Sequence, residues 1–173
     1  MSSTKSVSKK IALIGSHAVG KTSLVSQFIH NKFPEEYLTT IGLKVDKKTV
    51  VIDNFQLDMV IWDIAGQDDA DNVPHYYLRG CSGIILVTDL SRPNTYKKLK
   101  EQASMLKGLI PNVEIVIAAN KKDLLTAEEI TRVTGEYPLP PDAVTSAKLG
   151  EGVEEMFIEM AKKLLAQHDT QGA

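Results

Sequence analysis

A single cysteine, Cys81, stands in the chain, so no internal disulfide can form and the sequence suits a reducing, cytoplasmic setting. An apolar run follows that thiol, which is therefore expected to be buried and structural. No hydrophobic run approaches the roughly 18 residues that would span a membrane; Ile84–Val87 is typical of the longest. The first ten residues hold lysines and serines but no apolar centre for a signal peptide, and Ser2 excludes myristoylation. Residues 1–8 are expected to be disordered. Neither charge sign dominates: the net charge is −2 with 24% charged residues, which argues against a nucleic-acid partner. Arginine is scarce, at Arg79, Arg92 and Arg132 only. There is no internal repeat, low-complexity block or linker.

With 173 residues and 43% of them hydrophobic, the chain can bury one sizeable core, and one domain is expected. Ile11–Ile14 is an apolar run ending at Gly15, followed by helix-forming residues over Lys21–Asn31. Leu43–Ile52 and Gln56–Asp63 are rich in β-branched residues and flank Asp53-Asn54, which predicts an antiparallel hairpin. Gly83–Asp89 and Val113–Asn120 are near-continuous apolar runs, the pattern of parallel strands covered on both faces. Between them, Pro93 can open a helix whose face is Leu99, Ala103, Leu106 and Ile110. A short helix over Ala127–Thr134, a strand near Ala143–Thr145 and a last helix from about Gly152 to Ala166 complete the order. Met156 and Met160 on that helix read as core packing. Alternating strands and helices predict an open, mostly parallel α/β sheet, with ligands at the carboxyl ends of its strands.

Gly15-Ser16-His17-Ala18-Val19-Gly20-Lys21-Thr22 fits the G-x-x-x-x-G-K-[ST] phosphate loop, between a strand and a helix as that motif requires. Its glycines permit a tight ring of inward-facing N–H groups, to which the helix adds its positive amino end. Lys21 brings a full charge to the β- and γ-phosphates, and the Thr22 hydroxyl can ligate Mg²⁺. A phosphate loop alone leaves ATPase, kinase and GTPase open. Asn120-Lys121-Lys122-Asp123 closes a central strand, and a carboxylate there can accept two hydrogen bonds from guanine that adenine does not offer. Ile61-Trp62-Asp63-Ile64-Ala65-Gly66-Gln67 closes the third strand. There Asp63 is placed to hold Mg²⁺ through water, Gly66 to offer its N–H to a γ-phosphate, and Gln67 to orient the attacking water.

In combination these motifs resemble the Ras superfamily of small GTPases. Tyr37-Leu38-Thr39-Thr40-Ile41-Gly42 together with Ile61-Trp62-Asp63 looks most like its Rab branch. The resemblance covers about residues 9–166, leaving 167–173 as a short tail. It implies a three-layer α/β fold with a six-stranded sheet, one strand antiparallel, and about five helices. It also implies a switch that binds GTP and GDP with Mg²⁺ and hydrolyses GTP slowly until an activating partner assists. By the same resemblance Lys21, Thr40, Gly66 and Gln67 carry the catalysis, and Thr22, Thr40 and Asp63 hold the metal. Gly15, His17–Ser23, Phe33, Tyr37, Asn120, Lys121, Asp123 and Ser146-Ala147-Lys148 would surround the nucleotide, with Phe33 beside the base and the Ala147 amide facing the guanine oxygen. Activating proteins, exchange proteins and effectors would meet residues 33–42 and 66–79.

Three features depart from the family pattern. His17 stands where many members carry glycine; it is either a tolerated surface-facing imidazole or an obstacle to Gln67 and to an incoming arginine. Asp68-Asp69-Ala70-Asp71 is more acidic than the usual arginine-bearing Rab segment, which is either a solvated loop or a surface for a distinct, basic partner. Gln167–Ala173 has no cysteine for prenylation, so no direct membrane anchor is expected; either a tail has been removed or the protein is an unlipidated, prokaryotic type of relative. Two rival functions follow from these residues: a scaffold that binds GTP but hardly hydrolyses it, favoured by His17, and a phosphate-loop kinase or ATPase, opposed by Asn120–Asp123.

Overall fold

β1 (Lys5–Ile14) alternates Ile11 and Leu13 with Ala12 and Ile14, and both sets are buried, one on each face of the sheet. A strand covered on both sides belongs at a sheet centre. The computed structural model describes residues 4–67 and 72–172. In it β1 pairs in parallel with β3 (Phe55–Ile64) and with β4 (Cys81–Asp89). β2 (Leu43–Ile52) pairs antiparallel with β3, and β5 (Glu114–Asn120) and β6 (Ala143–Val144) extend the other side in parallel. The order is β2-β3-β1-β4-β5-β6, six strands with β2 antiparallel. Among the described residues there are five α-helices: α1 (Lys21–His30), α2 (His75–Leu78), α3 (Leu99–Leu109), α4 (Ala127–Gly135) and α5 (Val153–Gln171).

One core joins Ile11, Leu13, Leu57, Met59 and Ile61 of the sheet to α1 and α5, with Phe28 stacked on Phe157 at a ring separation of 4.1 Å. The other joins Ala12, Ile14, Ile84 and Leu86 to α2, α3 and α4. The three-layer α/β arrangement expected from the alternating pattern is therefore present. Met156 and Met160 lie in the first core, as read from the sequence. Cys81 is buried, and burial pushes its thiol up to about 11, as suits a structural residue.

Several boundaries differ from the sequence reading. Residues 5–8, expected to be disordered, belong to β1, because β3 supplies a pairing partner from Phe55 to Asp58 and the Lys5 ammonium sits over the Phe55 ring. Pro93 opens only a 3-10 turn, Pro93–Thr95. The chain breaks there because the Thr95 hydroxyl bonds back to Arg92 O, and Tyr96 turns inward to stack on Tyr137. α3 therefore starts at Leu99, and Ile110 is its cap rather than its last turn. α5 runs past Ala166 to Gln171, so most of the expected tail is helix. Gln167 secures the extension by donating to Asn112 O and Glu114 Oε1, and His168 meets Phe55 edge to face. Asp68–Asp71 lie outside the described residues.

Candidate functional site

The phosphate loop leaves β1 at Gly15, where a Cβ would stand 2.3 Å from Val87 O, so only glycine lets the turn pass β4 so closely. Ala18 takes φ 60°, a left-handed conformation uncommon for a residue with a side chain and concentrated at functional loops. Gly20 caps α1 at φ 102°. Three consecutive loop carbonyls are then held from outside by three side chains. Arg92 Nη2 donates to His17 O at 2.8 Å, Lys121 Nζ to Ala18 O at 2.7 Å and Asn120 Nδ2 to Val19 O at 3.0 Å. Tying the carbonyls outward leaves the loop amides free to converge on an anion at the amino end of α1.

Lys21 is buried, and its ammonium donates to Gly15 O at 2.9 Å and Ser16 O at 3.0 Å. Burial draws its pKa down to about 8, with Arg92 adding to that effect and Asp63 opposing it. Thr22 Oγ1 donates to Asp63 Oδ2 at 2.6 Å and lies 2.6 Å from Thr40 Oγ1. Since the Thr22 proton goes to the carboxylate, Thr40 is the donor in the second contact. Asp63 Oδ1 is buried without a partner, and burial pushes the carboxyl pKa up against the pull of Thr22 and Lys21. Two hydroxyls and a carboxylate with one oxygen unspent form a hard-oxygen set that fits Mg²⁺, which uses few carboxylates and completes its shell with water and phosphate. Among the described residues no group of three or more His, Cys, Asp or Glu forms another metal cluster.

These residues border a cleft of about 360 Å³ that takes in His17, Ala18, Gly20–Ser23, Phe33, Tyr37, Thr40 and Gly66. Gly66 packs on the loop, where a Cβ would stand 2.6 Å from His17 Cα, and Gln67 N donates to Gly15 O at 3.2 Å. The expected base-reading residues do not line this cleft but are fixed beside it. Asn120 Oδ1 accepts from Thr145 Oγ1 at 3.0 Å and from the Ala147 amide at 3.2 Å, and Asp123 Oδ1 accepts from Ser146 Oγ at 2.7 Å. Asp123 is half-buried, Lys148 is exposed and Phe33 is 45% exposed. His17 is exposed and borders the cleft.

Sequence reasoning missed Arg92, Asp89 and the His17–Tyr37 contact. The Arg92–His17 and Asp89–Lys121 links join distant parts of the chain, and the available signal was the scarcity of arginine.

A phosphate loop at the end of a central parallel strand, with a metal-suited oxygen set and a base motif two strands away, defines a phosphate-loop nucleotide-binding protein. Residues 10–166 match the model of the Ras family. The Ras-related protein Rab-4 of Dictyostelium discoideum is 34% identical over 166 residues, covering 93% of this chain and 81% of that protein. Human Ras-related protein Rab-4B is 34% identical over 166 residues, covering 93% and 78%. The putative Ras-related protein Rab-5B of Dictyostelium discoideum is 32% identical over 165 residues, covering 92% and 76%. The chain belongs to the Ras family, as a small GTPase of Rab type. It is a molecular switch that binds GTP and GDP and hydrolyses GTP, and proteins of this type act through regulators and effectors.

Proposed function

We propose that the cleft and the base motif beside it form one guanine-nucleotide site. The loop amides of Gly15–Thr22 and the amino end of α1 receive the phosphates, and Lys21 exchanges its two carbonyl acceptors for β- and γ-phosphate oxygens. Thr22, Thr40 and Asp63 would hold Mg²⁺, directly or through water, and the ion would supply positive charge to offset that of the phosphates. The partnerless Asp63 Oδ1 is the observation that carries this reading. Gly66 offers its amide to the γ-phosphate, and Gln67 orients a water in line with it. The products are GDP and inorganic phosphate.

Asp123, braced by Ser146, accepts from the two adjacent guanine donors, while Ala147, Phe33, Tyr37 and Lys148 flank the nucleotide. Residues 33–42 and 66–79 form the surface that activating proteins, exchange proteins and effectors read. Leu38 and Ile41 support that part, being 75% and 91% exposed where a soluble chain ordinarily hides large apolar groups. The cytoplasm is the compartment that fits a single buried thiol, and among the described residues no helix is long and apolar enough to cross a membrane.

The test is calorimetric titration with GDP, GTP and ATP, with and without Mg²⁺, followed by single-turnover phosphate release. Tight GTP and GDP binding that weakens on chelation is the expected result. Equal affinity for ATP and GTP would refute the base assignment.

A further inference from the structure

His17 is held from two sides. Its carbonyl accepts from Arg92 Nη2 at 2.8 Å, while the same guanidinium donates through Nε to Asp89 Oδ2 at 3.0 Å. Asp89 is 1% exposed and also accepts from the Ser91 amide, the Ser91 hydroxyl and Lys121. Burial works to raise its pKa, but these bonds together hold the carboxyl below its ordinary value, so the anchor stays charged. A planar guanidinium fixed on such a carboxylate has little freedom left.

On its other side, His17 Nε2 lies 3.3 Å from the Tyr37 hydroxyl, and the two rings meet edge to face at 6.1 Å. Tyr37 is 67% exposed and sits in the stretch between α1 and β2, which has neither helix nor strand. Both residues border the cleft that contains Lys21 and Thr22. The far end of the same stretch is tied down by Thr40 on Thr22. A glycine at position 17 would present nothing for Tyr37 to meet, so this contact belongs to the histidine.

We propose that His17 and Arg92 are positioning residues of a clasp over the nucleotide cleft: Asp89 and Arg92 fix the His17 backbone, and the imidazole holds Tyr37 across the mouth, slowing nucleotide release. The clasp rests on the guanine-nucleotide reading of the cleft. It acts on departure, because a bound nucleotide leaves only when Tyr37 swings away. One exposed hydrogen bond with an edge-to-face ring contact slows that step by about three- to ten-fold.

The experiment follows release of fluorescent GDP, chased by excess GDP in Mg²⁺, from the full chain and from His17→Ala, Tyr37→Phe, their double variant, Arg92→Ala and Arg92→Lys. Release is expected to quicken by about three- to ten-fold in His17→Ala, which removes both contacts, and by a smaller factor, roughly two- to three-fold, in Tyr37→Phe, which keeps the ring. The double variant is expected to be no faster than the faster single, since both act on one residue pair. Arg92→Lys keeps the charge but loses the fork, and is expected to quicken release as Arg92→Ala does. Tyr37→Phe removes one exposed oxygen and is expected to melt with the wild type, so a fold defect does not mimic the result. Unchanged release in Tyr37→Phe, or additive effects in the double variant, would overturn the clasp. Failure of the wild type to take up GDP at all would overturn the nucleotide reading instead.

Discussion

The Asn120 side-chain amide donates to the Val19 carbonyl at 3.0 Å, joining the base motif to the phosphate loop across 101 residues of chain. The same amide nitrogen lies 2.4 Å from where a Cβ on Gly20 would stand, so the contact requires glycine there. In the proposed site, one side chain thus sets the spacing between the phosphate loop and the residues assigned to the base.

In the proposed site, Asp123 makes the base choice. Replacing it with asparagine keeps the size but turns one acceptor into a donor, which faces the guanine amine unfavourably and suits a base with a carbonyl there. Asp123→Asn is expected to lose on the order of 10²-fold or more in GTP affinity and to favour xanthosine triphosphate, since a site built for a hydrogen bond rejects a mismatch strongly. Competition calorimetry checks this, and unchanged GTP affinity would remove Asp123 from the site.

Hydrolysis should be slow. None of the three arginines lies in the phosphate loop or in residues 33–42, and Arg92 spends its guanidinium on Asp89 and His17 O. A missing arginine finger typically costs roughly 10³–10⁵-fold. Gln67→Leu is expected to lower the basal rate further, by at least ~10-fold. Single-turnover phosphate release measures both; fast turnover, or no change in Gln67→Leu, would show that another group positions the water.

Gly66→Ala should separate binding from switching. A Cβ there would meet His17 Cα at 2.6 Å and His17 N at 2.7 Å, so the second loop must back away from the first. GDP binding is expected to persist while the GTP-dependent change in emission of the lone tryptophan, Trp62, is lost. Trp62 neighbours Asp63 and touches the Tyr77 ring, which makes it a local reporter. An intact GTP response in the variant would contradict the assignment.

Lys21 supplies a pH test. Burial lowers its pKa to about 8 from an ordinary 10.5, so between those values the unfolded chain holds more protons and this group's contribution to stability rises with pH. Phosphates at the ammonium act oppositely and raise the pKa. GDP binding at about pH 8.5 should therefore take up a proton that it does not take up near pH 6. Calorimetry in buffers of different ionisation enthalpy reads the uptake, and no uptake at the higher pH would show that Lys21 is already charged.

The Phe28–Phe157 stack should dominate one core. Both rings are buried and lie 8° from parallel. Phe157→Ala is expected to lose about 3–5 kcal/mol in chemical denaturation. A loss below ~1 kcal/mol would mean the site collapses around the smaller residue.

What could be read from the sequence was what is local. The phosphate loop is eight contiguous residues, and the central strands announce themselves as apolar runs. The first residues of β1 do not, because Lys5, Ser6, Ser8 and Lys9 have no strand signature of their own; β3 and the Phe55 ring supply the reason they are ordered. Nothing local marked Arg92, whose bond to His17 O spans 75 residues. The end of α5 was invisible because Gln167 is held by partners on another element.

The strand order also bears on how the chain first acquires its shape. β1 is made before both of its neighbours yet sits mid-sheet, with Lys5 beside Phe55 and Lys10 beside Cys81. Its neighbours therefore do not yet exist when it is made, and parallel pairing between such distant segments closes large loops before any contact rewards it. The β2–β3 hairpin, whose strands are joined by a two-residue turn, is the pairing available soonest. A nascent chain would thus carry the apolar strand Ile11–Ile14 uncovered for a time. Folding speed and chaperone demand should follow from when β4 leaves the ribosome.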